Sequence, residues 1–236
     1  MKLFLDTANI EHIRHGVRLG VITGVTTNPS IISREVCQRQ NQKEKFNNSH
    51  SSAKGRIDYQ KLVKEICSIV PGPVSTEVLS QDAQGMVAEA REIAKWAENI
   101  VVKIPASLDG VEATAQLAKE NIKVNFTLCF SLNQALLGAA AGATFVSLFV
   151  GRLDDIGEDG MEVVVDIVEY LDYYQLPTQV IAASIRHPQH CLTAAKIGAH
   201  IATIPYKVLL QMIQHPLTDI GIKRFVDDWN NVMGSV

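Results

Sequence analysis

Residues 74–104, VSTEVLSQDAQGMVAEAREIAKWAENIVVKI, run from an apolar stretch through a longer amphipathic one into a second apolar stretch. Val74–Val78 and Ile100–Ile104 have the length and β-branched content of strands. Between them, Gln81–Ala97 carries its apolar residues at helical spacing. A strand, a helix and a second strand in that order form a crossover unit, and the crossover makes the two strands parallel.

The same grammar extends in both directions. Further short apolar runs are Leu3–Leu5, Val21–Val25, Val124–Leu128, Phe145–Val150, Gln179–Ala183 and Ile201–Ile204. With the two above, that makes eight. Seven segments of helical spacing separate them, among them Asn9–Val17, Tyr59–Ile69 and Met161–Tyr173. Tyr206–Gln214 and Thr218–Asn231 follow the last run. Eight strand–helix units predict an α/β fold, a single (β/α)8 TIM barrel spanning residues 1–236, with 218–231 as an extra C-terminal helix that either caps the barrel or reaches a neighbouring subunit. A doubly wound open sheet shares the local pattern. The barrel is favoured because LDTAN, not a glycine-rich dinucleotide fingerprint, follows the first strand.

Residues 35–58, EVCQRQNQKEKFNNSHSSAKGRID, break the rhythm. Rich in Gln, Asn, Ser and Lys, they have little aliphatic surface to offset the entropy of ordering. They read as a polar loop insertion after the second strand, either a lid over the barrel mouth or a solvated insert without a role.

Composition narrows the function classes. The chain has 236 residues, 47% of them hydrophobic, which is enough for one sizeable core. A net charge of −3 with 20% charged residues leaves no basic footprint for nucleic acid. No stretch has the apolar length of a membrane span, and the N-terminus does not read as a signal peptide. The four cysteines form no C-x-x-C pair and read as free thiols, so the expected location is cytoplasmic. The seven histidines show no metal-binding spacing, and none is expected to be a ligand.

In a TIM barrel, function gathers at the C-terminal ends of the strands. The polar residues there are Asp6; Thr26, Thr27 and Asn28; Glu77; Lys103; Asn125 and Thr127; Ser147, with Phe149 and Arg152 beyond it; and Ser184 and Arg186. Lys103 is the sharpest of them. It sits among aliphatics in VVKIP, on one strand face with Val101 and Pro105. If that face points inward, the amine enters a low-dielectric interior that disfavours the ammonium form. A free amine attacks a carbonyl to give a Schiff base. The alternative is a lysine whose head group snorkels into water. Lys2 and Lys123 begin their strands, at the wrong end. Lys207 lies at the correct end, in the first turn of a helix, where it suits a phosphate or solvent contact.

Asp6 and Glu77 are the candidate acid/base groups. Asp6 would otherwise cap the following helix, and Glu77 would otherwise pair with Lys103. Arg152, Ser184 and Arg186 suit a phosphate clamp, because guanidinium forks match phosphate oxygens. Each arginine would otherwise pair with Asp154, Asp155 or Glu158.

The stretches LDTAN, GVTTNPS, VVKIP, NFTLCFS, SLFVGRLDDIG, AASIRHP and HPLTDIGIKRFVDDW resemble the small-subunit transaldolases and the related fructose-6-phosphate aldolases. The likeness covers nearly the whole chain outside residues 35–58. It implies a lysine Schiff base on Lys103, neither metal nor organic cofactor, sugar-phosphate substrates and homo-oligomeric rings (pentamers or decamers) in which the last helix meets a neighbour. It also implies that Asp6 takes the C4-hydroxyl proton and that Glu77 and Thr127 hold a catalytic water. By the same likeness Asn28 and Asn125 bind substrate hydroxyls, with Thr27 alongside, and Ser147 meets the dihydroxyacetone part. Arg152, Ser184 and Arg186 would take the phosphate.

The aldolase branch typically has Gln in place of Glu77 and Tyr in place of Phe149. Glu77 with Phe149 therefore points to a transaldolase of the pentose phosphate pathway, moving dihydroxyacetone from sedoheptulose 7-phosphate or fructose 6-phosphate to an aldose phosphate. The other readings are a lyase that releases dihydroxyacetone, a transaldolase acting on a sulfonated sugar, and a non-enzymatic sugar-phosphate-binding barrel. Leu148 departs from the family, which commonly has proline there.

Overall fold

The structure is a computed structural model that describes residues 1–35, 37 and 59–234. Eight parallel strands pair in sequence order and close into a barrel, β8 lying against β1. They are β1 (Lys2–Asp6), β2 (Ile22–Thr26), β3 (Val74–Glu77), β4 (Ile100–Pro105), β5 (Val124–Cys129), β6 (Phe145–Phe149), β7 (Gln179–Ala183) and β8 (Ile201–Ile204). The helices are α1 (Ile10–Arg18), α2 (Tyr59–Ile69), α3 (Ala83–Ala94), α4 (Leu108–Lys119), α5 (Leu132–Ala140), α6 (Val150–Asp154), α7 (Gly160–Tyr173), α8 (Pro188–Lys196), α9 (Tyr206–Met212) and α10 (Pro216–Met233). The chain is also helical over residues 29–35.

Helix starts follow side-chain capping. Asn9 accepts from the His12 amide at 3.0 Å, Asp82 from Gly85 at 2.8 Å and Ser107 from Gly110 at 3.0 Å. Each oxygen satisfies one of the orphan amides of a first turn. Asn9, not Asp6, is therefore the cap of α1.

The period of two along each strand separates two cores. Outward residues such as Leu5, Val25, Val102, Phe126, Val146 and Leu148 pack with the helices. Inward residues Phe4, Val101, Phe145, Ile181 and Ile201 form their own cluster inside the barrel. Phe4 and Phe145 meet edge to face with centroids 6.3 Å apart. Gly24 leaves room for them, because a Cβ there would stand 2.6 Å from the Phe4 ring. This cluster is an apolar floor. Two positions further along four of the same strands, the inward residues turn polar: Asp6, Lys103, Ser147 and Thr203.

Three expectations need correcting. Glu35 is not part of a solvated insertion: it is buried at the end of the 29–35 helical stretch and accepts from the Asn9 amide at 3.1 Å. The rest of the proposed insertion, apart from exposed Cys37, lies outside the described residues. Val150 does not end a strand but begins α6, a helix of 5 residues, too short to show a period in sequence. The C-terminal helix starts at Pro216, with His215 as its cap, and none of its residues is buried, so it does not cap the barrel. No helix among the described residues is long and apolar enough to cross a membrane.

Candidate active site

The register aligns Glu77 with Lys103 and Lys103 with Asn125 across β3, β4 and β5. Aligned residues on parallel strands share a face, so all three point into the barrel. Lys103 is 3% exposed. Its Nζ lies 3.0 Å from Glu77 Oε2 and donates to the Thr27 carbonyl at 3.1 Å. The snorkelling alternative is thereby excluded, while the ion pair weighed for Glu77 is present. A buried amine held by one carboxylate and one carbonyl is a charge kept in place by its partners.

Asp6 lies across the barrel interior on β1. Its carboxylate accepts from Thr26 Oγ1 at 2.7 Å, and Thr26 Oγ1 lies 2.6 Å from Thr203 Oγ1. Thr26 has one proton to give, so with Asp6 ionised Thr203 donates to Thr26 and Thr26 to Asp6. Burial pushes the Asp6 carboxyl above its ordinary range; Thr26, Lys103 and Arg34 pull the other way, and Glu77 adds to the rise.

Asn125 is fixed from both sides. Its Nδ2 donates to Ser75 Oγ at 3.1 Å, and its Oδ1 accepts from Ser147 Oγ at 2.7 Å. Thr127 is different: its hydroxyl is buried and has no hydrogen-bond partner among the described residues. Buried hydroxyls are nearly always satisfied, so this one is placed to meet a water or a ligand.

These groups surround a cavity of about 450 Å³. Asp6, Thr26, Lys103, Thr127, Ser147 and Thr203 line it from the strands. Asn28, Phe149, Ser184 and Arg186 line it from the strand ends and loops, and Arg152 from α6. Thr27, Glu77 and Asn125 adjoin this lining through their contacts with Lys103 and Ser147. The Thr27 hydroxyl donates to the Ser75 carbonyl at 2.9 Å, so Thr27 meets Lys103 through its backbone only. Asn28 accepts from the Ile31 amide at 2.9 Å, which commits its oxygen to capping the 29–35 stretch and leaves its NH₂ for a ligand.

At the mouth, the Arg152 guanidinium carbon sits 5.2 Å from the centre of the Phe149 ring, a cation–π contact that holds both. Arg186 pairs with Asp155 at 2.6 Å, the partner weighed from sequence. Both side chains are more than half exposed, at 51% and 60%, so the pair is weak and open to competition from an incoming anion. Ser184 has φ +57°, a left-handed conformation uncommon for serine.

Two further cations line the cavity. Lys207 is the lysine already considered for a phosphate contact. Arg34 is one the sequence reading does not single out. The signal was its spacing: Ile31 and Arg34, three residues apart on the 29–35 helical stretch, share a face and both reach the cavity. Leu148, at the family's proline position, is fully buried against the helices. Among the described residues, no group of three or more His, Cys, Asp or Glu side chains gathers to hold a metal ion.

A family model described as Transaldolase/Fructose-6-phosphate aldolase matches residues 3–236. The Probable transaldolase of Dehalococcoides mccartyi is 55% identical over 233 residues, covering 98% of this chain and 99% of the relative. That of Desulforudis audaxviator is 56% identical over 229 residues, covering 97% of each. A relative of the same name, from Methanococcus maripaludis, is 52% identical over 229 residues, again covering 97% of each.

Proposed function

The chain belongs to the Transaldolase/Fructose-6-phosphate aldolase family, and on that premise we propose that it is a transaldolase working through a Schiff base on Lys103. One observation carries the reading: a buried lysine amine on the wall of a polar cavity, 3.0 Å from a carboxylate able to take its proton. A barrel that only bound sugar phosphates would gain nothing from burying that amine.

The proton on Lys103 passes to Glu77, and the free amine attacks the ketone of a ketose phosphate. The carbinolamine loses water as Glu77, through a water held by the Thr127 hydroxyl, returns the proton. Asp6 then takes the proton of the C4 hydroxyl, the C3–C4 bond breaks, and an aldose phosphate leaves. The electrons of that bond remain on the imine as an enamine. An acceptor aldose phosphate reverses the steps, the enamine carbon attacking its aldehyde while Asp6 returns the proton to the new alkoxide.

Asn28, Asn125 and Ser147 hold the hydroxyls of the three-carbon unit. Arg152, Ser184 and Arg186 take the phosphate, the dianion displacing Asp155 from Arg186. Phe149 presents no hydroxyl to help water protonate the enamine, so the three-carbon unit waits for an acceptor. This favours transfer over release of free dihydroxyacetone. Sedoheptulose 7-phosphate and fructose 6-phosphate are the fitting donors, as in the pentose phosphate pathway, and the cytoplasm is the fitting location.

Oligomerisation belongs to the same reading. Leu217, Phe225, Val226 and Trp229 on α10 are each at least half exposed. Apolar surface on this scale marks an interface, and a second copy in a pentameric or decameric ring would cover it.

Fructose 6-phosphate with borohydride tests the chemistry. A reduced three-carbon adduct on Lys103, detected by peptide mass spectrometry and absent from Lys103→Ala, is the expected result. An adduct on Lys207 instead would overturn the assignment.

A further inference from the structure

The phosphate clamp is assembled from two segments. Arg152 comes from α6, while Ser184 and Arg186 come from the loop between β7 and α8. That loop is not at rest by itself, given the left-handed backbone of Ser184. His190, in the first turns of α8, sits between the two. Its Nε2 lies 3.2 Å from Asp154 Oδ2 on α6, and its Nδ1 accepts from the Arg186 backbone N–H at 3.4 Å. The side chain is 13% exposed. Both contacts are satisfied together by one state of the ring, neutral, with its proton on Nε2 and a lone pair on Nδ1.

We infer that His190 is a positioning residue for the phosphate clamp, tying α6 to the β7–α8 loop, and that its neutral Nδ1 sets the affinity for phosphate-bearing substrates. This rests on reading Arg152, Ser184 and Arg186 as that clamp. Protonation removes the lone pair and turns an N–H toward the N–H of Arg186, so the loop loses its tie as pH falls. The groups facing the ring are His187, whose ring centroid is 3.8 Å away, together with Asp154, Asp159 and Arg186. Burial first, then His187 and Arg186, oppose protonation; Asp154 and Asp159 favour it, and the balance lies below the ordinary histidine value. The neutral state is thus the working one near neutral pH.

Two variants separate the contacts. His190→Asn retains an acceptor near the Nδ1 position but cannot titrate. His190→Gln retains a donor near Nε2 and loses that acceptor. The readout is the dissociation constant of inorganic phosphate for the full-length protein, with KM for fructose 6-phosphate against unphosphorylated fructose as the activity counterpart.

His190→Gln should weaken phosphate binding about fivefold and raise KM for fructose 6-phosphate alone. His190→Asn should stay within about twofold of wild type near neutral pH, and lose less affinity than wild type between about pH 7.5 and 5.5. The ionisation of phosphate itself is common to both proteins and cancels in that comparison. Unchanged phosphate binding in His190→Gln overturns the role, as do parallel pH profiles for wild type and His190→Asn. If His190→Gln does not fold, the profiles decide. A wild type that binds no phosphate sinks the clamp itself, whereas a binding wild type with an indifferent His190 sinks only this inference.

Discussion

Glu77 and Lys103 face each other in register on neighbouring strands, oxygen to nitrogen at 3.0 Å, with Lys103 almost wholly buried. Each charge is tolerated because of the other. Lys103→Met should abolish transfer, by several orders of magnitude, and should also leave Glu77 uncompensated at a cost of about 3 kcal/mol. Lys103→Met/Glu77→Gln should recover most of that stability and none of the activity. Urea denaturation of the two variants checks this; equal stabilities would mean that the pair is not coupled.

The role proposed for Asp6 sets function against stability. Burial raises its carboxyl pKa, so the folded state binds the proton more tightly than the unfolded chain does. Ionising it therefore costs stability. The cost is absent below the unfolded value, grows as pH rises through the folded value, and is constant above it. Asp6→Asn keeps an oxygen for Thr26 and removes the charge. Its Tm should rise by a few degrees near neutral pH, the gain shrinking as pH falls, while turnover drops about a hundredfold or more. Calorimetry at several pH values would show the trend, and a Tm gain that grew toward acid would contradict it.

Phe149 lines the cavity and offers water no hydroxyl. Phe149→Tyr supplies one. Release of dihydroxyacetone from fructose 6-phosphate without an acceptor should rise at least about tenfold, at the expense of transfer. An enzyme-coupled assay for free dihydroxyacetone, run with and without acceptor, measures the partition.

Gly151 of α6 lies directly beneath the loop between β7 and α8. A Cβ there would stand 2.2 Å from the Ser184 carbonyl oxygen and 2.5 Å from Arg186 Nε. Gly151→Ala must push the loop away. KM for fructose 6-phosphate should rise about tenfold or more, with little change in Lys103 labelling by unphosphorylated dihydroxyacetone. Steady-state kinetics beside borohydride trapping distinguishes this outcome from general misfolding.

The exposed apolar side chains of α10 provide a test of assembly. Phe225→Asp/Trp229→Asp should reduce the molar mass in sedimentation to that of a smaller species. Because α10 buries no residue in its own subunit, the barrel should retain its far-UV spectrum. An unchanged mass would mean that α10 carries no subunit interface.

Much of this was legible in the chain. Gln179–Ala183 and Ile201–Ile204 are strands with the bounds read from their apolar runs, and the others moved by one residue at one or both ends. Burial on both strand faces leaves that signal strong. The polar strand ends were equally visible, since a lysine or glutamate among β-branched residues has few structural reasons to be there. What escaped was local and short. Residues 29–35 and α6 are helical turns with too few residues for a period, and both carry cavity arginines, Arg34 and Arg152. The carbonyl of Thr27 also escaped, because a backbone atom serves Lys103 whatever side chain stands there.

The aromatic and aliphatic plug of Phe4, Val101, Phe145, Ile181 and Ile201 fills the barrel beneath the cavity, so among the described residues the way to Lys103 runs through the C-terminal mouth. The aldehyde cut from the donor and the aldehyde that replaces it must pass through the same opening, one after the other. With the three-carbon unit held on Lys103 between the two passages, as proposed, turnover should follow double displacement, with initial-rate lines that stay parallel as the second sugar is varied. Five side chains that do not line the cavity thus leave both sugars the same path to the amine.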